Sequence, residues 1–577
     1  MSGEKVVIIG AGLSGLSAGK VLKEAGVDVL ILEAQDRVGG RTLSPGHPKY
    51  GWIDLGAAFV GPTQDAVLNL IDELGLETYK IYNDQPFLHY SNGKRNTYMT
   101  QWPTLWWRNP LAKWDLWYNM KKMDAMCWHV NPKEPWKSPN AHEWDSMTVQ
   151  EWMDRNFWTR FASSLAEIDA KEFFTSQVHT NVTADPCQVS LLWYLWYVRC
   201  ADGMFRIWNC HGGAQERKIL GGSQQMSLRI AQLLGDSRVV LNATVTKVSQ
   251  VESGVEVTTL DGRMFSGTHA IMALPIPQQQ RIHFRPHLRA IRAQLNQRST
   301  MGACLKAQFY YPEAYWRKQG EKEGQGVNGF VTCGDGTNFC GNVVDDGREG
   351  LKEGAMTVFV YTKNAVKATE MTSNECRDAL VSSLAEIFQD DRMKNVRIAS
   401  FLPSFPSLVT SFLSQVFFKF GFKQPLEYHE KHWMKEPFIR GCYTSFFPPG
   451  ALTTYGEALK APFGRVHWAG TETASCWSGY MDGAIRAGKR AARELYLTFT
   501  LGAKPDLSTL QVLHAVGRIP FADNWEEEPE NKKVPHVPVR LTFMERHPPH
   551  PLLVLLAYSI LIPATGLGIF ILIKHLY

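Results

Sequence analysis

The chain has 577 residues, of which 44% are hydrophobic and 20% are charged, so it is long enough for two or more domains around a large core. The formal net charge of +5 is small for this length, and the sequence contains no cluster of lysine and arginine of the kind that binds a phosphate backbone. Both features argue against nucleic-acid binding. The ten cysteines are scattered without a C-x-x-C pair or a zinc spacing, so we expect reduced thiols and no metal site.

The opening of the chain has a pattern typical of dinucleotide binding. It comprises an apolar run of strand length, three glycines, a helix-like segment and a second apolar run: residues 6–9, Gly10, Gly12, Gly15, residues 16–25 and residues 27–32. Gly10 permits a tight turn, Gly12 lets the backbone approach a pyrophosphate, and Gly15 lets the helix pack against the strand. The helix N-terminus offers N–H groups to phosphates. Glu33, after the second run, lies at a distance typical of an acid that binds a ribose.

The segment after the second run narrows the choice of dinucleotide. Gly39 and Gly40, flanked by Arg37 and Arg41, form a second glycine pair that a nicotinamide enzyme does not need. This segment resembles the flavin-binding opening of the amine oxidase superfamily, so FAD is the expected dinucleotide.

The middle of the chain predicts two interleaved domains. Residues 191–198 are apolar on all sides, which predicts a buried helix in a mostly helical, tryptophan-rich region, with a place on the wall of a substrate cavity as the alternative. Residues 268–274 predict a buried strand that returns the chain to the nucleotide-binding domain. The expected fold is α/β of the Rossmann type, with a discontinuous FAD-binding domain and an interleaved α+β substrate domain. The FAD-binding domain is expected to comprise residues 1–85, 216–285 and 431–499. The substrate domain is expected to comprise a mostly helical segment, 86–215, and an α+β segment, 286–430. A proline-rich linker, 500–550, and a tail, 551–577, are expected to follow.

The tail predicts a transmembrane helix. Residues 552–573 contain no charged side chain, and as a helix they would extend about 33 Å, enough for a hydrocarbon core of ~30 Å. Pro563, in mid-span, is tolerated in lipid. A short apolar helix buried in a soluble core is the alternative. Because four residues follow the span, and because the first strand leaves no room for a signal peptide, we expect a tail anchor with the folded mass in the cytosol.

Two further stretches, residues 440–450 and 468–484, carry the remaining motifs. Residues 478–483 are expected to open a helix at 484–495, whose N-terminus would point at an acceptor on the cofactor. Glu472, between small residues at a strand end, is expected to bind cofactor hydroxyl groups or a water.

With these stretches in place, the chain resembles the monoamine oxidase family from the first strand to the tail. The supporting segments are residues 54–56, 60–64, 215–218 and 441–444. In that family, the cysteine that matches Cys442 carries FAD through a thioether to the flavin 8α carbon. The resemblance also implies that Arg41, Val245 and Met481 contact the cofactor.

The resemblance assigns roles on the substrate side as well. Tyr443 and Tyr480 match two tyrosines that face each other in front of the flavin, and parallel aromatic faces are suited to steering an amine. Lys306 matches a lysine that holds a water near the flavin N5, although a lysine in an apolar strand more often extends to solvent. The substrate cavity is expected to contain Thr180, Asn181, Trp208 and Gln215.

The chain departs from the family pattern at several of these positions. Cys476 stands where the family usually has histidine, so no imidazole acts there. Thr180 and Asn181 replace a more apolar pair, and Trp208 replaces a smaller residue between the entrance and the inner cavity. A substrate preference therefore cannot be copied from any one relative.

The function implied by the resemblance is oxidative deamination of primary monoamines, with secondary and tertiary amines left open. The neutral amine would lose a hydride equivalent to the flavin, the imine would hydrolyse to aldehyde and ammonia or an amine, and O₂ would reoxidise the flavin to give H₂O₂. A polyamine oxidase, an amino-acid oxidase and a non-catalytic flavin-fold binding protein are the alternatives. The family resemblance also implies a single-pass anchor in the mitochondrial outer membrane, with the catalytic domain facing the cytosol, and leaves a homodimer open.

Overall fold

The computed structural model of the chain describes residues 3–98, 110–157, 170–319, 322–323, 326–333, 338–394 and 427–501. The strands are β1 Lys5–Ile9, β2 Asp28–Leu32, β3 Gly46–His47, β4 Gly51–Trp52, β5 Phe59–Val60, β6 Thr78–Lys80, β7 Phe87–Ser91, β8 Lys94–Tyr98, β9 Arg217–Ile219, β10 Val239–Val240, β11 Val245–Val251, β12 Gly254–Thr259, β13 Met264–Gly267, β14 His269–Met272, β15 His283–Arg285, β16 Thr300–Met301, β17 Cys304–Tyr311, β18 Lys318–Gln319, β19 Lys322–Glu323, β20 Val331–Cys333, β21 Asn342–Asp345, β22 Gly354–Tyr361, β23 Glu427–His432, β24 Ser445–Phe446 and β25 Val466–Trp468. The helices are α1 Leu13–Glu24, α2 Asp65–Glu73, α3 Pro110–Cys127, α4 Ala141–Asp145, α5 Val149–Asn156, α6 Ala170–Val182, α7 Leu191–Cys200, α8 Met204–Trp208, α9 Gln224–Leu234, α10 Ala290–Arg298, α11 Thr362–Thr369, α12 Ser373–Phe388, α13 Ala451–Tyr455 and α14 Met481–Leu501.

A five-stranded parallel sheet, in the order β10-β2-β1-β14-β25, forms the nucleotide-binding layer. Its strands come from four separated parts of the chain, so the predicted discontinuous sheet is observed. Val6, Val7 and Ile8 of β1 are fully buried, as expected for a central parallel strand covered on both faces. On one face, α1 and α14 approach closely. Glycine at position 488 makes this approach possible, since a Cβ there would stand 2.0 Å from the Ser14 carbonyl oxygen.

A four-stranded sheet, in the order β13-β12-β11-β15, packs against the other face of the parallel sheet. In β12, Val255 and Val257 point inward and share a core with Val7, Ile9 and Trp468. The alternation at 245–260 that predicted strands is the consequence of this one-sided burial.

The region expected to form the substrate domain contains a seven-stranded sheet, in the order β23-β17-β22-β21-β20-β7-β8. Its outer strands β7 and β8 correct the expectation of a mostly helical region from residue 86 onward. Asn92 and Gly93 between them have φ of 50° and 74°, which is the turn geometry that joins two antiparallel strands. The Asn-Gly pair was the available sequence signal for this hairpin.

The strand β17 separates a core from a cavity. Its odd-numbered residues, such as Leu305 and Phe309, pack into a core with α11 and α12, whereas Lys306 and Gln308 point to the opposite face. This alternation explains how a lysine occupies a strand that is buried throughout.

The helical part of the substrate domain surrounds α7. The predicted buried helix at 191–198 is observed, and every residue of α7 except Arg199 is buried. Trp152, Trp193, Trp196 and Trp208 belong to the same aromatic-rich core. The tryptophans between residues 102 and 107, and Trp158, lie outside the described residues.

The last described helix differs from its prediction at both ends. α14 begins at Met481 rather than at residue 484 and continues to Leu501. Gly483 therefore lies in the first turn, where a Cβ would stand 2.2 Å from the Trp477 carbonyl oxygen. The linker from residue 502 and the predicted span at 552–573 lie outside the described residues. Within the described part of the chain, no helix combines the length and the apolar character needed to cross a bilayer.

Candidate active site

One continuous cavity of about 420 Å³ connects the parallel sheet to the seven-stranded sheet. Its wall contains nearly all of the residues that the sequence singled out: Gly10, Gly12, Glu33, Arg41, Thr180, Asn181, Trp208, Gln215, Val245, Lys306, Cys442, Tyr443, Tyr480 and Met481. Gly15 and Glu472 are not part of the wall. The structure thus brings together residues from four separate parts of the chain.

The glycines at the nucleotide end differ in what surrounds them. A Cβ at Gly15 would stand 2.0 Å from the Gly10 carbonyl oxygen, so Gly15 serves the packing of α1 against β1. Gly10 has φ of +104°, a conformation that favours glycine. At Gly12, no described heavy atom lies within 4 Å of where a Cβ would stand, which leaves open space beside the N-terminus of α1.

Glu33 is held at the wall by main-chain amides. Its carboxylate accepts hydrogen bonds from the Ala11 amide at 2.6 Å and from the Gln35 amide at 3.0 Å. Burial raises the pKa of Glu33, although these amides and the Arg37 guanidinium oppose that change. The side chain is therefore fixed in position beside the glycine turn.

Arg41 connects the glycine segment to the second group of motifs. Its guanidinium donates to Glu472 Oε1 at 2.7 Å and to the Tyr443 carbonyl oxygen at 3.0 Å. Burial lowers the pKa of Arg41, but the neighbouring Glu472 carboxylate reverses that change and raises it overall. Glu472 Oε2 is buried and has no hydrogen-bond partner among the described residues, and it lies next to Gly470 of the cavity wall.

Cys442 is presented to the cavity by a tightly packed backbone. Its amide donates to the Gly302 carbonyl oxygen at 3.0 Å, and its carbonyl oxygen accepts from the Thr183 hydroxyl. A Cβ at Gly441, where φ is +147°, would stand 2.4 Å from the same Gly302 oxygen. The Cys442–Tyr443 peptide bond is cis. Burial raises the pKa of the Cys442 thiol to about 12, with the Arg41 charge acting in the opposite direction.

The two predicted tyrosines are each supported by a further aromatic ring. Tyr443 donates its hydroxyl to that of Tyr361 at 3.1 Å and meets the Phe359 ring edge-on at 6.0 Å between centroids. Tyr480 stacks on Tyr197 at 5.9 Å with an angle of 23° between the rings. Both tyrosines are half-buried, because one face of each lines the cavity.

Lys306 lies on the wall without reaching solvent. Its side chain is buried, and the ammonium donates to the Gly56 carbonyl oxygen at 2.8 Å. The ammonium also lies 5.6 Å from the centroid of the Phe359 ring. Burial, with a smaller contribution from the Lys218 charge, lowers the pKa of Lys306 to about 8. The alternative of a lysine that extends to solvent is wrong at this position.

The part of the cavity wall that is expected to face the substrate contains polar side chains whose hydrogen bonds are only partly satisfied. Thr180 donates to the Ser176 carbonyl oxygen at 2.9 Å, and the Asn181 amide donates to the Tyr194 hydroxyl at 3.3 Å. Gln215 donates to a main-chain oxygen at 3.1 Å, but its Oε1 is buried without a described partner. Trp208 completes this part of the wall.

Comparisons with known proteins agree with this architecture. The family described as flavin containing amine oxidoreductase matches residues 13–496. Flavin-containing amine oxidase B of Canis lupus familiaris is 38% identical over 580 residues, which cover 99% of this chain and 98% of that protein. Flavin-containing amine oxidase A of Sus scrofa is 37% identical over 567 residues, covering 98% and 96%.

Solved structures of amine oxidases share the fold. A putrescine oxidase bound to putrescine superimposes with a TM-score of 0.73 at 26% identity, covering 85% of this chain and 99% of that one. Cyclohexylamine oxidase from Brevibacterium oxydans IH-35A gives a TM-score of 0.72 at 29% identity, covering 85% and 98%.

The chain belongs to the family of flavin-containing amine oxidoreductases. It is a flavin-dependent amine oxidase of the monoamine oxidase type, and the resemblance stated from the sequence is confirmed. The amine oxidase flavoprotein fold is confirmed with it. The polyamine oxidase alternative gains no further support, because relatives named flavin-containing amine oxidase A or B match nearly the whole chain.

The residues of this amine oxidase fit FAD at the nucleotide end and beyond it. The space beside Gly12 is open for a pyrophosphate, and Glu33 is fixed beside it. The unpartnered Oε2 of Glu472 is a buried acceptor, and such atoms in native structures normally have a partner.

Two residues of the amine oxidase site were missed by the sequence analysis. Tyr361 and Tyr197 both line the cavity and support the predicted tyrosines. Tyr361 follows from alternation along β22 once Lys306 is known to pair with Phe359, two residues earlier. Tyr197 belongs to the run 191–198, for which a place on the cavity wall was the alternative, but nothing singled out this residue, because α7 is apolar on all sides.

Two side-chain clusters outside the cavity contain residue types that bind metals: His47, Glu427 and His429, and Cys376, Glu430 and His432. In the first cluster, the His47 Nδ1 atom accepts from the amides of Lys49 and Tyr50, so its Nε2–H faces the Glu427 carboxylate at 2.8 Å. In the second, Glu430 accepts from the Tyr428 hydroxyl. Hydrogen bonds account for both arrangements.

Proposed function

We propose that this amine oxidase carries FAD on Cys442 through an 8α-S-cysteinyl thioether and deaminates primary monoamines to an aldehyde and ammonia. The observation that carries the proposal is that one cavity runs from the glycine turn at Gly10 and Gly12 to the Cys442 thiol and on to the tyrosine pair. FAD is a long molecule with a nucleotide at one end and the reactive ring at the other, and this order of residues matches it.

The chain's own residues would hold FAD along that length. Glu33 would accept hydrogen bonds from the ribose, and the N-terminus of α1 would face the pyrophosphate. Arg41 would be kept in place for the cofactor by Glu472, and Val245 and Met481 would contact the cofactor from the two sides of the cavity. When bound, the flavin supplies a two-electron acceptor for the amine and transfers the electrons to O₂, which gives H₂O₂.

On the substrate side, Tyr443 and Tyr480 would orient the neutral amine. An amine nitrogen is attracted to electron-rich ring faces, and two rings held by Tyr361 and Tyr197 restrict its approach. Lys306 would hold a water between its ammonium and the cofactor. The side chains of Thr180, Asn181, Trp208 and Gln215 would bound the rest of the substrate, with the free Gln215 oxygen as a hydrogen-bond acceptor.

We further propose that residues 552–573 anchor the enzyme in the mitochondrial outer membrane, with the catalytic domain in the cytosol. The span is free of charge, and the relatives match 98–99% of the chain, so the likeness extends into this tail. The destination follows from the family resemblance and is tested by fractionation of cells that express the full chain.

The decisive experiment for the proposed cofactor is acid precipitation of the purified enzyme. We expect a yellow pellet, because a thioether survives denaturation, and a flavin-bearing peptide that contains Cys442 on mass spectrometry. A colourless pellet with a yellow supernatant would show non-covalent FAD. A flavin peptide that contains Cys304, the second thiol on the described wall, would move the attachment site.

A further inference from the structure

Next to Lys306 lies a buried group of three charged side chains from distant parts of the chain. The Lys218 ammonium on β9 lies 2.8 Å from Asp54 Oδ2 and 2.5 Å from Asp346 Oδ1. All three side chains are at most 2% exposed. We call Lys218, Asp54 and Asp346 the charged triad.

The charged triad is connected to Lys306 through the cavity-facing side of β17. Gln308, two residues after Lys306 on the same face, donates to Asp346 Oδ2 at 3.0 Å and to the Thr357 hydroxyl at 2.7 Å. Asp54 is two residues before Gly56, whose carbonyl oxygen accepts from the Lys306 ammonium. Asp54 therefore shares a segment with the carbonyl oxygen that holds Lys306, and Asp346 is joined to the strand of Lys306 through Gln308.

The charge count of this region calls for a fourth member. One ammonium and two carboxylates leave the charged triad with a net charge of −1, and an uncompensated buried charge is costly. Asp54 is already satisfied at Oδ1 by the Ser44 hydroxyl at 2.6 Å, and that bond brings no charge. Lys306 supplies a further positive charge that helps to lower the pKa of Asp54. Arg348 supplies another near the Tyr310 hydroxyl, so Lys306 is one of two cations that can balance the charged triad.

We propose that Lys218, Asp54 and Asp346 act as positioning residues for Lys306: their net negative charge holds the Lys306 side chain on the cavity wall and sets whether it is charged. This proposal rests on the proposed function, in which Lys306 holds a water beside the flavin. It also gives a role to Asp54 and Lys218, which lie in segments that resemble the family but had no assigned task.

The ionisation of the four groups agrees with the geometry. Burial and the Lys218 charge lower the pKa of Lys306 to about 8, although the two aspartates oppose this change. Burial would lower the pKa of Lys218, but Asp346 and Asp54 raise it well above its usual range. The other groups that act on this region are the Cys304 thiol, beside Lys306, the Tyr79 and Tyr310 hydroxyls, and the Arg348 guanidinium.

The test compares variants that change the charge of the triad in opposite directions. Asp54→Asn makes the triad neutral and keeps its hydrogen bonds, since the Ser44 hydroxyl can accept from the new amide. Lys218→Met makes the triad more negative. Asp345→Asn is the matched control, because it is equally buried and loses the same charge but pairs with Arg317 at 2.6 Å instead of Lys218.

The primary readout is competitive labelling of Lys306 in the full-length holoenzyme with acetic anhydride, quantified by mass spectrometry across pH. Only the uncharged amine reacts, so the labelling rate reports its protonation. At pH 7 we expect Asp54→Asn to raise the rate about fivefold and Lys218→Met to lower it about fivefold relative to the control. The pKa of Lys306 that appears in the pH profile of kcat/KM should fall in Asp54→Asn and rise in Lys218→Met.

The outcomes separate this inference from the proposed function. Equal labelling in Asp54→Asn and Asp345→Asn, or shifts of the same sign in Asp54→Asn and Lys218→Met, would overturn the assignment. If Lys218→Met does not fold, Asp346→Asn replaces it and must behave as Asp54→Asn does. Opposite labelling shifts with unchanged amine turnover would uphold the electrostatic role of the triad and remove Lys306 from the proposed function.

Discussion

At one end of the cavity, Gly12 leaves room for a ligand to approach the main chain itself. At the other end, the wall is made of the side chains of Lys306, Tyr443 and Tyr480, each supported by a neighbour from another element. The first end depends on the conformation of a few consecutive residues. The second depends on chemical groups that meet only in the folded chain.

This difference has consequences for substitutions. A Cβ added at the nucleotide end meets either the packed backbone, as at Gly15, or the space left for a ligand, as at Gly12, so its effect should appear in stability or in flavin content. A side chain removed at the reacting end changes one chemical function and should leave the fold intact. The predictions below test this contrast, starting with the largest expected effect.

The largest effect is expected for Cys442→Ala, which should abolish covalent attachment of FAD without unfolding the protein. The side chain is small and lies on the cavity wall, so its loss removes little packing. Flavin should then appear wholly in the supernatant after acid precipitation, while circular dichroism and the unfolding midpoint stay close to those of the parent.

Cys304→Ala is the matched control for this prediction. Its thiol lines the same cavity and is equally buried, and burial likewise raises its pKa. We expect this variant to keep a yellow pellet. A colourless pellet from Cys304→Ala and a yellow one from Cys442→Ala would show that FAD is attached to Cys304 and not to Cys442.

The two ends of the cavity also differ in how far they could be predicted from the sequence. The nucleotide end was predicted from local pattern alone, because its glycines and Glu33 lie within 24 residues of one another along one strand–turn–helix–strand unit. The reacting end was predicted only through resemblance. Lys306 and Tyr443 are 137 residues apart in the sequence, and no periodicity predicts that they line the same cavity. That depends on how distant strands pair in the folded chain.

The parts that were missed have physical causes. The hairpin of β7 and β8 was assigned to a helical region although Asn92-Gly93 favours a turn. The pairing of Lys218 with two aspartates was not foreseen, because a buried ion pair leaves no mark on local hydrophobic pattern. Residues 552–573 remain a prediction.

The second prediction concerns the tyrosine pair. Replacing both Tyr443 and Tyr480 by alanine should lower kcat/KM for benzylamine-like substrates by about 10- to 100-fold, because each ring contributes a favourable contact with the amine. Flavin content should fall far less. The double phenylalanine variant, which keeps both ring faces, should recover most of the activity. Activity within a factor of about two of the parent in the alanine variant would rule out an aromatic cage.

The third prediction separates packing from ligand approach at the nucleotide end. Gly15→Ala should lower the free energy of unfolding by about 1–3 kcal/mol, because the new Cβ would meet a carbonyl oxygen that cannot move easily. Gly12→Ala has open space and should leave the apoprotein stable while reducing FAD binding. Chemical denaturation of both apoproteins, together with flavin content, distinguishes the two glycines. Equal loss of stability in both variants would contradict the assignment.

The smallest effect on the chemistry is expected from removing the tail, which lies outside both ends of the cavity. Deleting residues after Pro551 should release the enzyme from membranes and leave flavin content and kcat/KM within about twofold of the full chain, since a long apolar helix is driven into lipid by burial of its own surface. The described site ends within α14, at least 50 residues before the span.

A single charge is the gentler test: Leu561→Arg should weaken membrane retention, because arginine at mid-span costs about 2.5–3.5 kcal/mol on insertion scales. Carbonate extraction of mitochondrial outer membranes compares the three chains. If the full chain resists extraction no better than the truncated one, residues 552–573 are not an anchor, and the alternative of a helix buried in a soluble core becomes the better account.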